Sequence, residues 1–367
     1  MPLLVLGIIL LLIIFLQDYG YKKLWDRGLS YRAYFSASEA FEGDRLFLRE
    51  ELINKKFLPL PWVFVKLQLS THINFIDAKG EPVSKDTPIS LFAIMSNTAI
   101  KRRKPFVCGK RGVYTLRDGN LLVSNLLHTK EYSKDVKLHG ELLVFPKLLE
   151  HCEELDLLYK QLDGLVLSNR IINPDPFEFR GLREYQPTDP LRTVNFKATA
   201  VAQQLMVNIY APTATKRLVL ALNLEDKDTG RALQEQSIRL CATLAERFVS
   251  EDAKVGFYTN GRRLMGHSFG MPSVVKNTFI PASNSLYDIF VCLAHISLGF
   301  QCDAMADYIA QVMDREQVYV FISSYIGDDL LEAFQGLLDR GIEAFLIVPV
   351  DGEIGFVGTD RMVVWRV

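Results

Sequence analysis

The chain reads as an α+β multidomain protein: an N-terminal transmembrane helix, an antiparallel β-sandwich and a doubly wound α/β domain. Three observations predict this. An unbroken apolar run, interrupted only by Gly7, spans Leu3 to Leu16. Short β-branched and aromatic stretches punctuated by turn residues fill the chain from Leu29 to about Phe145. Beyond residue 216, apolar strands alternate with segments of helical period.

The apolar run is followed by Tyr19, Tyr21, Lys22, Lys23 and Trp25, the residue types expected where a helix leaves a bilayer. It is short for a span, so the helix is expected to continue through Tyr19 to Tyr21. The basic residues follow the run, and no A-x-A-like site does, which argues against a cleaved signal peptide. Lys22, Lys23, Arg27 and Arg32 then predict a single-pass protein of the inner membrane with its C-terminal domains cytoplasmic.

In the sandwich region, strands are expected at Trp62 to Leu69, His72 to Ile76, Ile89 to Ile94, Gly112 to Leu116 and Glu141 to Phe145. Turns are expected at Glu42-Gly43-Asp44, Lys79-Gly80 and Asp118-Gly119-Asn120, and the basic run Lys101 to Lys104 is expected at a solvated hairpin tip. In the α/β region, strands are expected at Leu218 to Asn223, Val255 to Tyr258, Val318 to Ile322 and Ala344 to Val348. Leu233, Ser237, Leu240, Cys241, Leu244 and Phe248 recur at helical spacing and predict a helix over Arg231 to Ser250. Further helices are expected over Ser285 to His295, Ala304 to Met313 and Asp329 to Asp339. The domains are accordingly 1–23 (anchor), 29–150 (sandwich), 151–215 (connector) and 216–367 (α/β).

The 367 residues carry a formal net charge of −1 with no basic stripe, which argues against a nucleic-acid partner. The five cysteines are scattered and contain no C-x-x-C pair, so neither a disulfide framework nor a zinc knuckle is indicated.

The densest chemistry lies in GLREYQPTDPLRTVNFKATA, Gly181 to Ala200. Arg183, Glu184, Asp189, Arg192 and Lys197 alternate in sign around Tyr185 and Phe196, and Pro187 and Pro190 impose a turn. Asn195 completes the set of interaction or clamp candidates. An ion-paired clamp between domains and a functional surface look alike at this level.

This segment resembles the signature of the bacterial family known as domain of unknown function 58, whose usual form is Arg-x-Tyr-x-Pro-Gly-Asp, then Arg, then Asn-Trp-Lys and a small-residue helix. Thr188 stands at the family's glycine and Phe196 at its tryptophan. EGDRLFLREELINKKFLPLPWVFVKLQL and CGKRGVYTL resemble the Ig-like region that precedes the signature. The resemblance implies that the sandwich is Ig-like, that the last domain is von Willebrand factor A-like, and that the protein is a non-catalytic, membrane-anchored scaffold or adaptor. It also implies a MoxR-type AAA+ ATPase and other von Willebrand factor A proteins as partners, beside the lipid bilayer.

A working von Willebrand factor A domain binds a divalent cation through Asp-x-Ser-x-Ser, hard oxygen ligands suited to magnesium. Here those positions are Asn223, Glu225 and Lys227, so no metal or other cofactor is expected. A metal-dependent binder using the acidic sheet edge, with Glu225, Asp226, Asp228, Ser323, Ser324, Asp328 and Asp329, is the alternative. A second alternative is a serine hydrolase. Gly266-His267-Ser268-Phe269-Gly270 matches G-x-S-x-G, but it lacks the strand before and the helix after. Asp288 and His295, the only acid and base in the required order, would fall on one helix.

Overall fold

The computed structural model describes residues 2–69, 72–77, 81, 89–168, 171–186, 189, 194–215, 217–225, 230–265, 273–351 and 361–366. The chain divides into two compact units, Met1–Lys147 with Leu293–His295 and Leu148–Cys292 with Ile296–Val367.

The first unit opens with α1 (Pro2–Leu24) and continues with β1 (Leu29–Phe35), β2 (Glu39–Phe41), β3 (Arg45–Asn54), β4 (Leu60–Leu69), β5 (Ile73–Phe75), β6 (Ile89–Ile94), β7 (Thr98–Cys108), β8 (Gly112–Ser124) and β9 (Glu131–Phe145). These form a four-stranded sheet, β1-β3-β7-β5, and a five-stranded sheet, β2-β9-β8-β4-β6. Period-two burial along β4 sends Val63, Val65 and Leu67 inward, where they share a core with Leu48, Leu52, Phe92, Phe106 and Tyr114.

The expected membrane span is corrected here. Among the described residues, no helix is long and apolar enough to cross a membrane. Leu3 to Leu16 rises about 21 Å at 1.5 Å per residue, against about 30 Å of hydrocarbon. Of the residues expected to extend it, Tyr19 is exposed, whereas Tyr21 is packed on the sandwich together with its neighbours Asp18 and Trp25. Asp18 pairs with Lys130 at 2.8 Å and accepts from Asn125, Tyr21 is buried with its hydroxyl donating to the Pro59 carbonyl at 2.8 Å, and Trp25 stacks on Tyr132. The single-pass inner-membrane location and the bilayer contact expected from that span lose their support with it.

Two local expectations in this unit are also corrected. Lys101 to Lys104 is no hairpin tip but the middle of β7, in register with Leu48 to Glu51 of β3, so that Lys101 lies opposite Glu51. Asp118-Gly119-Asn120 is not a turn but lies within the continuous strand β8, paired with Lys137, Val136 and Asp135 of β9 just after a register shift between Leu116 and Asp118. Lys79-Gly80 lies outside the described residues.

The second unit contains α2 (Glu153–Ser168), β10 (Ile171–Glu184), α3 (Phe196–Ala202), β11 (Met206–Thr215), β12 (Arg217–Asn223), α4 (Arg231–Ser250), β13 (Lys254–Thr259), β14 (Arg262–Met265), β15 (Ser273–Val275) and β16 (Thr278–Ser283). It continues with α5 (Tyr287–His295), β17 (Ile296–Ser297), α6 (Met305–Gln311), β18 (Val318–Ser323), α7 (Asp328–Asp339), β19 (Ala344–Val350) and β20 (Met362–Arg366). A six-stranded sheet runs β16-β13-β12-β18-β19-β20. Its inner strands are continuous apolar runs because both faces are covered. On one side Val219, Phe321 and Leu346 meet Met305 and Ile309 of α6 and Leu330, Phe334 and Leu337 of α7. Helix α4 packs on β12, β13, β18 and β19, and α2 adds Tyr159 on Phe248 and an Asp156–Arg247 pair at 2.6 Å.

The expected fold class, a transmembrane helix, an Ig-like sandwich and a doubly wound, all-parallel von Willebrand factor A-like domain, therefore does not stand as written. Strand predominates, in five sheets with seven helices among the described residues. The large sheet is mixed, because β16 runs antiparallel to β13, and β2 joins β9 in parallel within the sandwich.

Candidate functional site

The described residues of the Gly181–Ala200 segment, which resembles the family signature, gather at one end of the β10–β11 ribbon. The strands pair antiparallel, with Arg183 opposite Val207 and Glu184 opposite Met206, and Val194 bridges to the other side of Val207. The turn between them is closed by charge. Arg183 donates from both terminal nitrogens to Asp189, Nη1 to Oδ2 and Nη2 to Oδ1, each at 2.6 Å, and the Gln186 N–H adds a third bond to Oδ2 at 2.9 Å. The forked guanidinium matches the carboxylate in plane. Its hydrogen bonds, then that of Gln186, hold Asp189 below the usual carboxylate range.

Asn195 organises the return. Its side-chain oxygen accepts from the Ala198 N–H at 3.0 Å as the N-cap of α3, and its Nδ2 donates to Asn208 Oδ1 at 2.8 Å. The Thr199 hydroxyl accepts from the Met206 N–H, and the Tyr185 N–H donates to the Leu205 carbonyl. Glu184 accepts from Gln204 Nε2 at 2.9 Å. Lys197 is exposed on α3, with no carboxylate partner among the described residues. Arg192, with Pro187, Thr188 and Pro190, lies outside the described residues. Of the seven expected residues, then, Arg183, Glu184, Tyr185, Asp189, Asn195 and Lys197 gather at one ribbon end, and the described bonds of the charged ones close within the segment.

What charge reasoning missed is the apolar surface beside them. Phe196 is 77% exposed and Val201 84%, with Leu182 and Leu205 also exposed, and α3 buries no residue. Leu182, Ala198, Val201, Ala202 and Met206 line an open depression of about 400 Å³, with Asn195 and Lys197 at its rim. Val201 and Phe196 were visible as apolar residues; their exposure reflects that no element among the described residues covers them, which local sequence does not encode.

The edge of the six-stranded sheet is built differently. Asn223, at the end of β12, donates from Nδ2 to Ser323 Oγ at 2.9 Å, and its Oδ1 accepts from Asn260 Nδ2 at 2.7 Å and the Glu225 N–H at 3.1 Å. Asn260 also donates to the Asp303 carbonyl and accepts from the Leu224 N–H. The Ser323 hydroxyl donates a hydrogen bond to the Tyr325 carbonyl at 2.5 Å, and Glu225 Oε1 accepts from the Met305 N–H at 2.8 Å, capping α6 from outside. Oxygens that would ligate a cation are thus engaged by amide and backbone donors. Asp329 Oδ1 accepts from its neighbour Leu330 N–H, and Asp328 shares the first turn of α7 with it. Among the described residues no group of three or more His, Cys, Asp or Glu could hold a metal ion. Asp226, Lys227 and Asp228 lie outside the described residues, as does Ser268 with the rest of its motif. Asp288 and His295 both fall on α5.

No protein-family model matches the sequence, and no curated protein matches it. Among solved structures, a non-cellulosomal cohesin from the hyperthermophilic archaeon Archaeoglobus fulgidus is similar over 31% of this chain and 91% of its own, at 10% identity and a TM-score of 0.21. The sporulation control protein Spo0M from Bacillus subtilis is similar over 40% of this chain and 58% of its own, at 9% identity and a TM-score of 0.18. Likeness at these scores carries no weight for fold or function.

Proposed function

We propose that this protein is a non-catalytic scaffold or adaptor that docks a protein partner on the signature segment. It would act with a MoxR-type AAA+ ATPase, and with other von Willebrand factor A proteins, in assembly or maturation of envelope or other protein complexes. One observation carries this: Arg183 closes on Asp189 and Glu184 on Gln204, while Val201 and Leu182 stand exposed at an open apolar depression. Contiguous apolar surface rimmed by polar groups marks an interaction site, because leaving it in water is unfavourable. Commitment of Glu225 to the α6 backbone and of Asn223 to Ser323 favours binding over metal chemistry at the sheet edge. The choice of partner class rests on the signature's resemblance to its family. The test is binding of the full chain to a purified MoxR-type ATPase held in its ATP state. A complex that Val201→Asp dissolves supports the proposal; no complex removes the assigned partner, and one indifferent to Val201→Asp removes the assigned surface.

A further inference from the structure

We infer that the depression beside α3 receives an acidic amphipathic helical segment of the partner, with apolar side chains on Val201, Leu182 and Met206 and a carboxylate on Lys197. This rests on the signature being a partner surface and adds the chemistry of the occupant. The floor is apolar and small-chained: Ala198 and Ala202 are four apart on α3, so they share a face with Val201 beside them. Residues this small let a helix approach closely along α3, which at about 10 Å matches one to two turns of a partner helix. The depression is open and about 400 Å³ in volume.

Charge selects among apolar helices. Asp189 is held by Arg183, and Glu184 accepts from Gln204, so both acids of the segment already have partners. Lys197 on the rim has no carboxylate within reach among the described residues, and a carboxylate is its complement. A basic helix would instead set like charges together. At an exposed rim the pair is worth modest energy, so the apolar row supplies affinity and Lys197 supplies preference.

The experiment uses the full chain and three labelled synthetic helical peptides, read by fluorescence anisotropy. One carries a leucine stripe flanked by glutamates, its twin has lysines for the glutamates, and the third has serines for the leucines. The leucine–glutamate peptide should bind, the leucine–lysine twin about fivefold to tenfold more weakly, and the serine peptide not at all. Lys197→Glu should reverse the preference and Val201→Asp should abolish binding. Both positions are exposed, and an unchanged circular dichroism spectrum checks that each variant is folded. Equal binding of the first two peptides, binding indifferent to Val201→Asp, or self-association of the chain that Val201→Asp removes would each overturn the inference. If no peptide binds while Val201→Asp still releases the ATPase, the occupant is wrong and the docking surface stands; if that complex is also indifferent, both fall.

Discussion

Arg183 and Asp189 meet in a two-point ion pair, both nitrogen–oxygen distances being 2.6 Å, across a turn whose prolines bracket the acid. The pair holds the Asp189 carboxyl below its ordinary range, with Arg183 the largest cause. A depressed folded-state value means that the pair's contribution to turn order is present above the unfolded value and is lost as pH falls through the folded one. Carbon-detected NMR titration should place the Asp189 midpoint below the ordinary carboxylate range of about 3.9. Arg183→Lys should move it upward although the charge is kept, because an ammonium lacks the planar fork. An ordinary midpoint in the unmodified protein would show that the pair does not persist in solution.

Glu50 supports the sandwich from inside. It is 1% exposed, its Oε1 accepts from the Tyr31 hydroxyl at 2.8 Å and the Ser90 hydroxyl at 2.7 Å, and Lys104 lies 3.6 Å from Oε2 and also bonds Ser90. Glu50→Ala leaves Lys104 largely buried without its counter-charge and should cost about 3–5 kcal/mol. Denaturant unfolding checks this, and a loss under about 1 kcal/mol would mean that water or a neighbour replaces the carboxylate.

Lys56 should give the stability an alkaline slope. Burial pushes its ammonium down to about 8, with Asp26 opposing the shift, and its Nζ has no hydrogen-bond partner among the described residues. Between about 8 and the unfolded value of 10.5 the unfolded chain holds the extra proton, so stability rises with pH across that window. Lys56→Met should flatten the rise in urea midpoints measured from pH 7 to 10. A rise of equal slope in the variant would assign it to another group.

Asn223→Asp should destabilise without creating a tight magnesium site. The substitution removes the donor to Ser323 and places a carboxylate where only 1% of the residue is exposed, at a cost of about 1–3 kcal/mol or more. Thermal unfolding with and without magnesium checks both halves. A large magnesium-dependent rise in the midpoint would show that the edge accepts a cation once the amide is gone, since a ligand bound only by the native state stabilises it.

Elements with one strong local period were legible. Helix Arg231–Ser250 has the bounds its apolar spacing indicates, and the strands β12, β13, β18 and β19 lie on the continuous apolar runs that mark strands covered on both faces. Features decided by distant partners were not. Lys101 to Lys104 has the composition of a loop and becomes strand because Glu50 and Glu51 are brought alongside it. Tyr21 has the composition of a membrane border and becomes core because Pro59 and its neighbours receive it. At the site, the acids and bases of the signature were identifiable one by one, and Asn195 before a small-residue helix carries a capping signal. The exposure of Phe196 and Val201 depends on what, among the described residues, does not pack on them, and the bonds from Asn223 to Asn260 and Ser323 join three separate strand ends.

The most direct measurement is site-specific photo-crosslinking with a benzophenone amino acid at Val201 and, in a second variant, at Tyr325 beside the sheet edge, each mixed as the full chain with the ATPase. Docking on the signature predicts a covalent adduct with the ATPase from position 201 and none from position 325. An adduct from 325 with none from 201 would contradict the assignment of the partner surface to the signature.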